Sequence, residues 1–230
     1  MADAGRRLFQ QQLRGLERAA LGGLDIALGQ VERVLLALEN VDLRLAQFVI
    51  ADDDRVDGRF LEVHQGVLSL LALQAPVAGD LRLVAAVLHV ISNVERVGDQ
   101  CVNVAKLIPL SGYAPAPGDE LVALILRMGG LARDELAQAR HAFAERDLQL
   151  AESLAAQDLA VNRLGREVFR LAVRVGEDPE LREWAMTMTL AARALERIGD
   201  NAVDIADQAI FVETGRYHEL AAGARESPSA

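Results

Sequence analysis

Apolar residues recur at intervals of three and four along almost the whole chain, the spacing of amphipathic α-helices. The first such segment, LFQQQLRGLERAALGGLDIALGQVERVLLAL, predicts a helix over residues 8–38, weakened near Gly22 and Gly23. Asp42 is placed to cap a second helix running to about Leu73. After the interruption QAPVAGD, Asp80 is placed to cap a third helix reaching about Ile108. PLSGYAPAPGD (109–119) combines Pro, Gly and Ser and reads as a linker. Beyond it the pattern predicts helices over about 119–144, from Asp147 to about Val175, and from Asp178 to about Glu213. Asp178 at the cap, followed by Pro179 at the first helical position, is a helix-start signal. The remaining GRYHELAAGARESPSA has little to bury and is expected to be loose.

The two halves repeat each other. ERVGDQCVNVA at 95–105 returns as ERIGDNAVDIA at 196–206, an offset of 101. DLRLAQFVIADDDRVD at 42–57 aligns with DLQLAESLAAQDLAVN at 147–162, an offset of 105, so four residues are lost between the second and third helices of the second half. The expected architecture is all-α: two tandem three-helix bundles, over 1–110 and 119–216, with a tail at 217–230.

The repeated motif carries the candidate chemistry. On a helix turning about 100° per residue, positions i, i+4 and i+8 fall within about 80° of one another. Glu95, Asp99 and Asn103 therefore share one stripe; Glu196, Asp200 and Asp204 share another, which Asp207 extends. Val97, Cys101 and Val104, and likewise Ile198, Ala202 and Ile205, turn toward the core. Asp53 and Asp57 form a companion pair on the second helix, matched by Asp158 and Asn162. Stacked like charges oppose a helix by about 0.2–0.5 kcal/mol per pair, so a compensating cation is expected. One source is Arg96 and Arg197, pairing with Asp99 and Asp200 on a solvated face. The other is a metal ion, since hard cations take carboxylate oxygens from several helices. Gly98 and Gly199, each just before the aspartate, cost about 1 kcal/mol relative to alanine in a helix. They suit either close helix approach or room for an ion.

Composition narrows the alternatives. Hydrophobic residues make up 51% and aromatics 4%, so the core is aliphatic. A net charge of −10 disfavours nucleic acid and anionic membrane surfaces as partners. Cys101 is the single cysteine, which excludes an intrachain disulfide and fits a reducing, cytoplasmic setting. MADAGRRLFQQQ lacks the apolar stretch of a signal peptide, and LVAAVLHVI (83–91) falls far short of the roughly 20 residues that cross a bilayer. No Glu-x-x-His element, phosphate-binding glycine loop or nucleophile triad occurs, and no catalytic residue is assigned. His64, seven residues after Asp57, is expected at the surface or beside the stripe; His89, His141 and His218 are expected to be structural or exposed.

LQAPVAGDLRLV, VERVGDQCVNVAKLI, DDDRVD and LERIGDNAVDIADQAIFVETG together resemble the PhoU family, accessory regulators of bacterial phosphate-specific transport. The resemblance spans about residues 8–216. It implies tandem three-helix bundles, a homodimer, and iron or zinc clusters on the repeated motifs. It also implies a non-enzymatic, cytoplasmic role: restraint of the phosphate-starvation response when phosphate is plentiful, through the ATPase subunit of an ABC phosphate importer and a sensor histidine kinase. Membrane contact would come only through those partners. Carried over, the metal residues are Glu95, Asp99, Glu196, Asp200, Asp53, Asp57 and Asp158, with Asn103 and Asp204 on the same stripes and a neutral Asn162 in place of an acid. The alternatives are regulation of another phosphate transporter, or a metal-storage or metalloenzyme bundle.

Overall fold

A computed structural model describes residues 2–111, 119–176 and 178–216. The described residues are helical almost throughout, with no strand among them. The helices are α1 (Ala2–Asn40), α2 (Leu43–Asp52), α3 (Asp54–Leu73), α4 (Ala78–Leu107), α5 (Glu120–Glu145), α6 (Leu148–Val173) and α7 (Pro179–Thr214). Aspartate caps begin four of them. Asp42 accepts from the amides of Arg44 and Leu45, Asp119 from Leu121 and Val122, Asp147 from Leu150, and Asp178 from Glu180.

Three expectations are corrected. The helix predicted from Asp42 to Leu73 is divided at Asp53 into α2 and α3. The division is slight, because Asp53 keeps helical dihedrals (φ −64°, ψ −31°) and its carbonyl accepts from both Val56 and Asp57. The two pieces therefore act as one rod with a tightened turn. Second, Asp80 is not the cap of α4: Val77 holds that position and Asp80 lies in the first turn. Its carboxylate instead accepts from Gln10 at 2.9 Å and pairs with Arg6 at 2.7 Å, tying α4 to α1. Third, α1 begins six residues before the predicted start and passes Gly22 and Gly23 unbroken. A Cβ on Gly23 would lie 3.0 Å from Ile91 and 3.3 Å from Val94, so this glycine lets α1 and α4 close together. Pro109–Ser111 form a 3₁₀ turn at the head of the predicted linker; 112–118 and the predicted tail lie outside the described residues.

The rods α1, α2–α3 and α4 form one bundle; α5, α6 and α7 form the other. They share one hydrophobic core rather than two, because α7 packs along α4 and α5 along α1. The α1–α5 contact is reinforced by Arg140 with Asp25 at 2.5 Å and by Arg146 with Glu17. At one end Arg82 of α4 donates to the Val212 carbonyl of α7 at 3.1 Å.

The corners after α1 and α5 are built alike. Val41 (φ 50°) and Arg146 (φ 58°) both turn left-handed, 105 residues apart. The next amide closes back in the same way in each: Asp42 to the carbonyl of Ala37 at 2.9 Å and Asp147 to that of Ala142 at 3.1 Å, the Schellman arrangement. A left-handed conformation strains a β-branched residue. Val41 is 40% exposed and has little packing to lose. Val41→Gly is therefore expected to raise the free energy of unfolding by about 0.5–1 kcal/mol, after the extra freedom of unfolded glycine is subtracted. Denaturant unfolding checks this, and a lower stability would refute it. Arg146 offers no such gain, since it holds Glu17 and the Phe143 carbonyl.

Candidate functional site

Each bundle brings three helices together over a glycine. In the first, α4 supplies Glu95 and Asp99, α3 faces it with Asp57, and Asp53 stands at the α2–α3 junction. The space that a Cβ on Gly98 would take is occupied: Asp53 Oδ1 lies 2.7 Å from that point, Val56 3.2 Å and Gln30 Oε1 3.3 Å. The glycine is thus explained by close helix approach, and what approaches is a carboxylate. In the second bundle Asp158 Oδ1 and Glu135 Oε2 each lie 2.8 Å from the corresponding point on Gly199. Glu196 and Asp200 flank Gly199 on α7, and Asn162 on α6 donates to Asp158 Oδ2 at 2.5 Å.

Gln30 and Glu135 are the residues that sequence reasoning missed. Both lie on the first helix of their bundle, 105 residues apart, among apolar core positions: Ala27, Val31 and Val34 around Gln30; Ala132, Leu136 and Ala139 around Glu135. A polar residue on the core face of each first helix is the signal that marks them. Gln30 leans toward Asp53 and eases its charge, but the contact stops short of hydrogen-bond geometry. Both polar atoms of the Gln30 side chain, Asp53 Oδ1 and Glu135 Oε2 are buried without a hydrogen-bond partner.

Crowded acids resist ionisation. Burial, then the charges of Asp57 and Asp99, hold Asp53 above the usual carboxylate range. Burial, then Asp99 and Asp57, do the same to Glu95. Glu135 is pushed to about 8, by burial first and then by Asp158 and Asp200. Arginine relieves part of this charge. Arg193 pairs with Glu196 at 2.6 Å, while Arg96 acts on Glu95 and Asp204.

Not every residue on the predicted stripes reaches a pocket. Asp204 lies half-buried facing His89 and Arg96 of α4; burial raises its pKa while those two groups oppose the rise. It thus belongs to the seam between the bundles. Asn103 is exposed on α4, and Asp207 is buried on α7. His64 sets its ring 5.5 Å from that of Phe60. A groove of about 460 Å³ lined by Arg6, Arg7, Arg14 and Arg18 lies elsewhere on α1, at least twelve residues from Gln30.

Among the described residues, no three His, Cys, Asp or Glu side chains stand arranged to hold a metal ion as they are. The donor chemistry nonetheless fits a hard cation. It is entirely oxygen, drawn from three helices, with buried carboxylate oxygens that lack hydrogen-bond partners. Facing carboxylates repel one another when ionised, and either a retained proton or a bound cation would relieve that repulsion.

Fold and site together define an all-helical protein of two tandem bundles, each with an acidic, glycine-floored pocket. The chain belongs to the PhoU family: the PhoU domain model matches it twice, over residues 24–108 and 125–209. It is 30% identical to the phosphate-specific transport system accessory protein PhoU homolog 1 of Mycobacterium leprae, covering 93% of this chain and 96% of that protein. It is 34% identical to the PhoU homolog of Caulobacter vibrioides, covering 86% of each. The crystal structure of PhoU from Pseudomonas aeruginosa superposes with a TM-score of 0.85 at 30% identity, covering 90% of this chain and all of that one. That of the phosphate transport system regulatory protein PhoU from Streptococcus pneumoniae gives 0.83 at 26%, covering 92% and 99%.

Proposed function

We propose that the protein is an accessory regulator of phosphate-specific transport and that its two carboxylate pockets hold metal ions. The roles for which its relatives are named support the first part. The second rests on one observation: acids from different helices converge on each glycine, Asp53 over Gly98 with Asp57, Glu95 and Asp99 around it, and Glu135 and Asp158 over Gly199 with Asp200 close by. A bound cation would neutralise the facing carboxylates and join the helices that carry them. Iron and zinc are the metals the family resemblance favours. The same resemblance supports a homodimer in the cytoplasm that restrains the starvation response by linking the ATPase subunit of an ABC phosphate importer to a sensor histidine kinase. No catalytic step is assigned to the pockets. No described helix is long and apolar enough to cross a membrane.

Metal content per chain, measured by mass spectrometry on tag-free protein, tests the pockets. Metal should accompany the wild type and fall in both Glu95→Ala/Asp99→Ala and Glu196→Ala/Asp200→Ala. A wild type free of metal, folding identically with and without chelator, would return the acids to neutralisation by arginine. Deletion of the gene tests the signalling role: starvation genes should be expressed even in high phosphate, and continued repression would end that assignment.

A further inference from the structure

The two pockets are not copies of one another. The first has acids at 53, 57, 95 and 99 and a neutral Gln30; the second has acids at 135, 158, 196 and 200 and a neutral Asn162. The offset of 105 places 30 on 135 and 57 on 162. Acid and amide have therefore changed helices between the bundles, while the number of acids in each pocket stays the same.

Geometry gives this exchange a purpose. Glu135 is 2% exposed and Gln30 fully buried, so neither is an incidental surface residue. A buried carboxyl oxygen without a partner is costly, and an apolar side chain would serve a core position better. Glu135 Oε2 nevertheless points over Gly199, as near to that glycine as Asp158 Oδ1. Two carboxylate oxygens from different helices thus aim at one place. Asn162 behaves differently. It spends its amide on Asp158, steadying that carboxylate instead of offering a charge of its own.

Resting on the reading of the pockets as metal sites, we infer that Glu135 is the anionic donor that replaces the acid absent at 162. The second pocket then takes charged ligands from all three rods of its bundle, α5, α6 and α7. The first takes them from the α2–α3 rod and α4, with Gln30 offering α1's amide oxygen as a neutral donor. The two sites draw on equal numbers of acids in unequal frames, and their affinities differ.

Mn²⁺, an oxygen-seeking ion visible by electron paramagnetic resonance, is the probe. The metal-stripped full chain would be titrated as wild type, E135Q, E135Q/N162D and E196A/D200A, with thermal unfolding recorded at each stage. Losing a direct carboxylate donor should weaken one class of Mn²⁺ site by at least about tenfold in E135Q and leave the other unchanged. E135Q/N162D, which restores the acid on the adjacent helix, should recover most of the loss. E135Q is isosteric and puts a neutral amide in place of a buried titratable carboxyl, so it should unfold cooperatively, with a smaller rise in Tm on adding Mn²⁺. Binding by E135Q equal to wild type, while E196A/D200A loses a site, would overturn the role of Glu135 and leave the metal reading standing. A wild type that binds no Mn²⁺, or binding that neither variant alters, would overturn both.

Discussion

Replacing Phe143 with alanine should lower the free energy of unfolding by about 3–5 kcal/mol, the range for deleting a fully buried aromatic ring. Phe143 is among the largest fully buried side chains, in the last turns of α5 where that helix meets α1. The cost has two parts: the apolar surface lost from the core, and the cavity left behind. A third loss is local. The Arg146 guanidinium lies 4.5 Å from the centre of the Phe143 ring while also holding the Phe143 carbonyl and Glu17. Removing the ring loosens the arginine that fixes this corner against α1, so the damage spreads to the contact between bundles. Urea unfolding of the purified variant gives the number. A loss under about 1 kcal/mol would mean that the core repacks there far more freely than its complete burial implies.

In the absence of metal, stability should decline as pH rises from about 4.5 to 8, and Glu135→Gln should remove much of the decline. The sign follows from proton counts. Glu135 titrates near 8 in the folded protein against an ordinary 4.5, so through that interval the native state keeps a proton that the unfolded chain has released. Stability then falls with pH and levels off above the folded value. At about 1.4 kcal/mol for each pH unit between the two values, the whole interval sets an upper limit near about 5 kcal/mol. Electrostatic coupling to Asp158 spreads the titration, and about 2–4 kcal/mol is the expected size. Asp53, Glu95 and Asp204 are raised too and bend the curve in the same direction. Only the difference between wild type and Glu135→Gln isolates this residue. Urea midpoints in chelator, from about pH 5 to 8.5 so as to bracket the folded value, measure it. Parallel curves would show that Glu135 ionises freely in the fold.

The helical rods and their doubling were legible because periodicity and aspartate caps are local signals. Asp42 and Asp178, read as caps, bond the opening amides of their helices, and Asp119 and Asp147, at the predicted helix starts, do the same. Asp80 shows the limit of that logic. Its sequence context suits a cap, but Arg6 and Gln10, seventy and more residues earlier, take its carboxylate instead. The acid stripes were legible on α3, α4 and α7, yet a stripe does not say which neighbour it will face. Asp204 continues the run of Glu196 and Asp200 by spacing, and tertiary packing sets it against His89 and Arg96. Gln30 and Glu135 escaped because no shared motif marks them: one is an amide, the other an acid. Their signal is a polar residue on each core face, which the offset applied residue by residue brings into register.

The seam between α4 and α7 carries a mechanical implication. Each of these rods presents a pocket on one flank and leans on the other rod along a second. Close-packed interiors do not deform smoothly, so a rod that turns or slides must carry its neighbour along. A shift of either rod at its own glycine would therefore be felt by the other across their shared bearing surface.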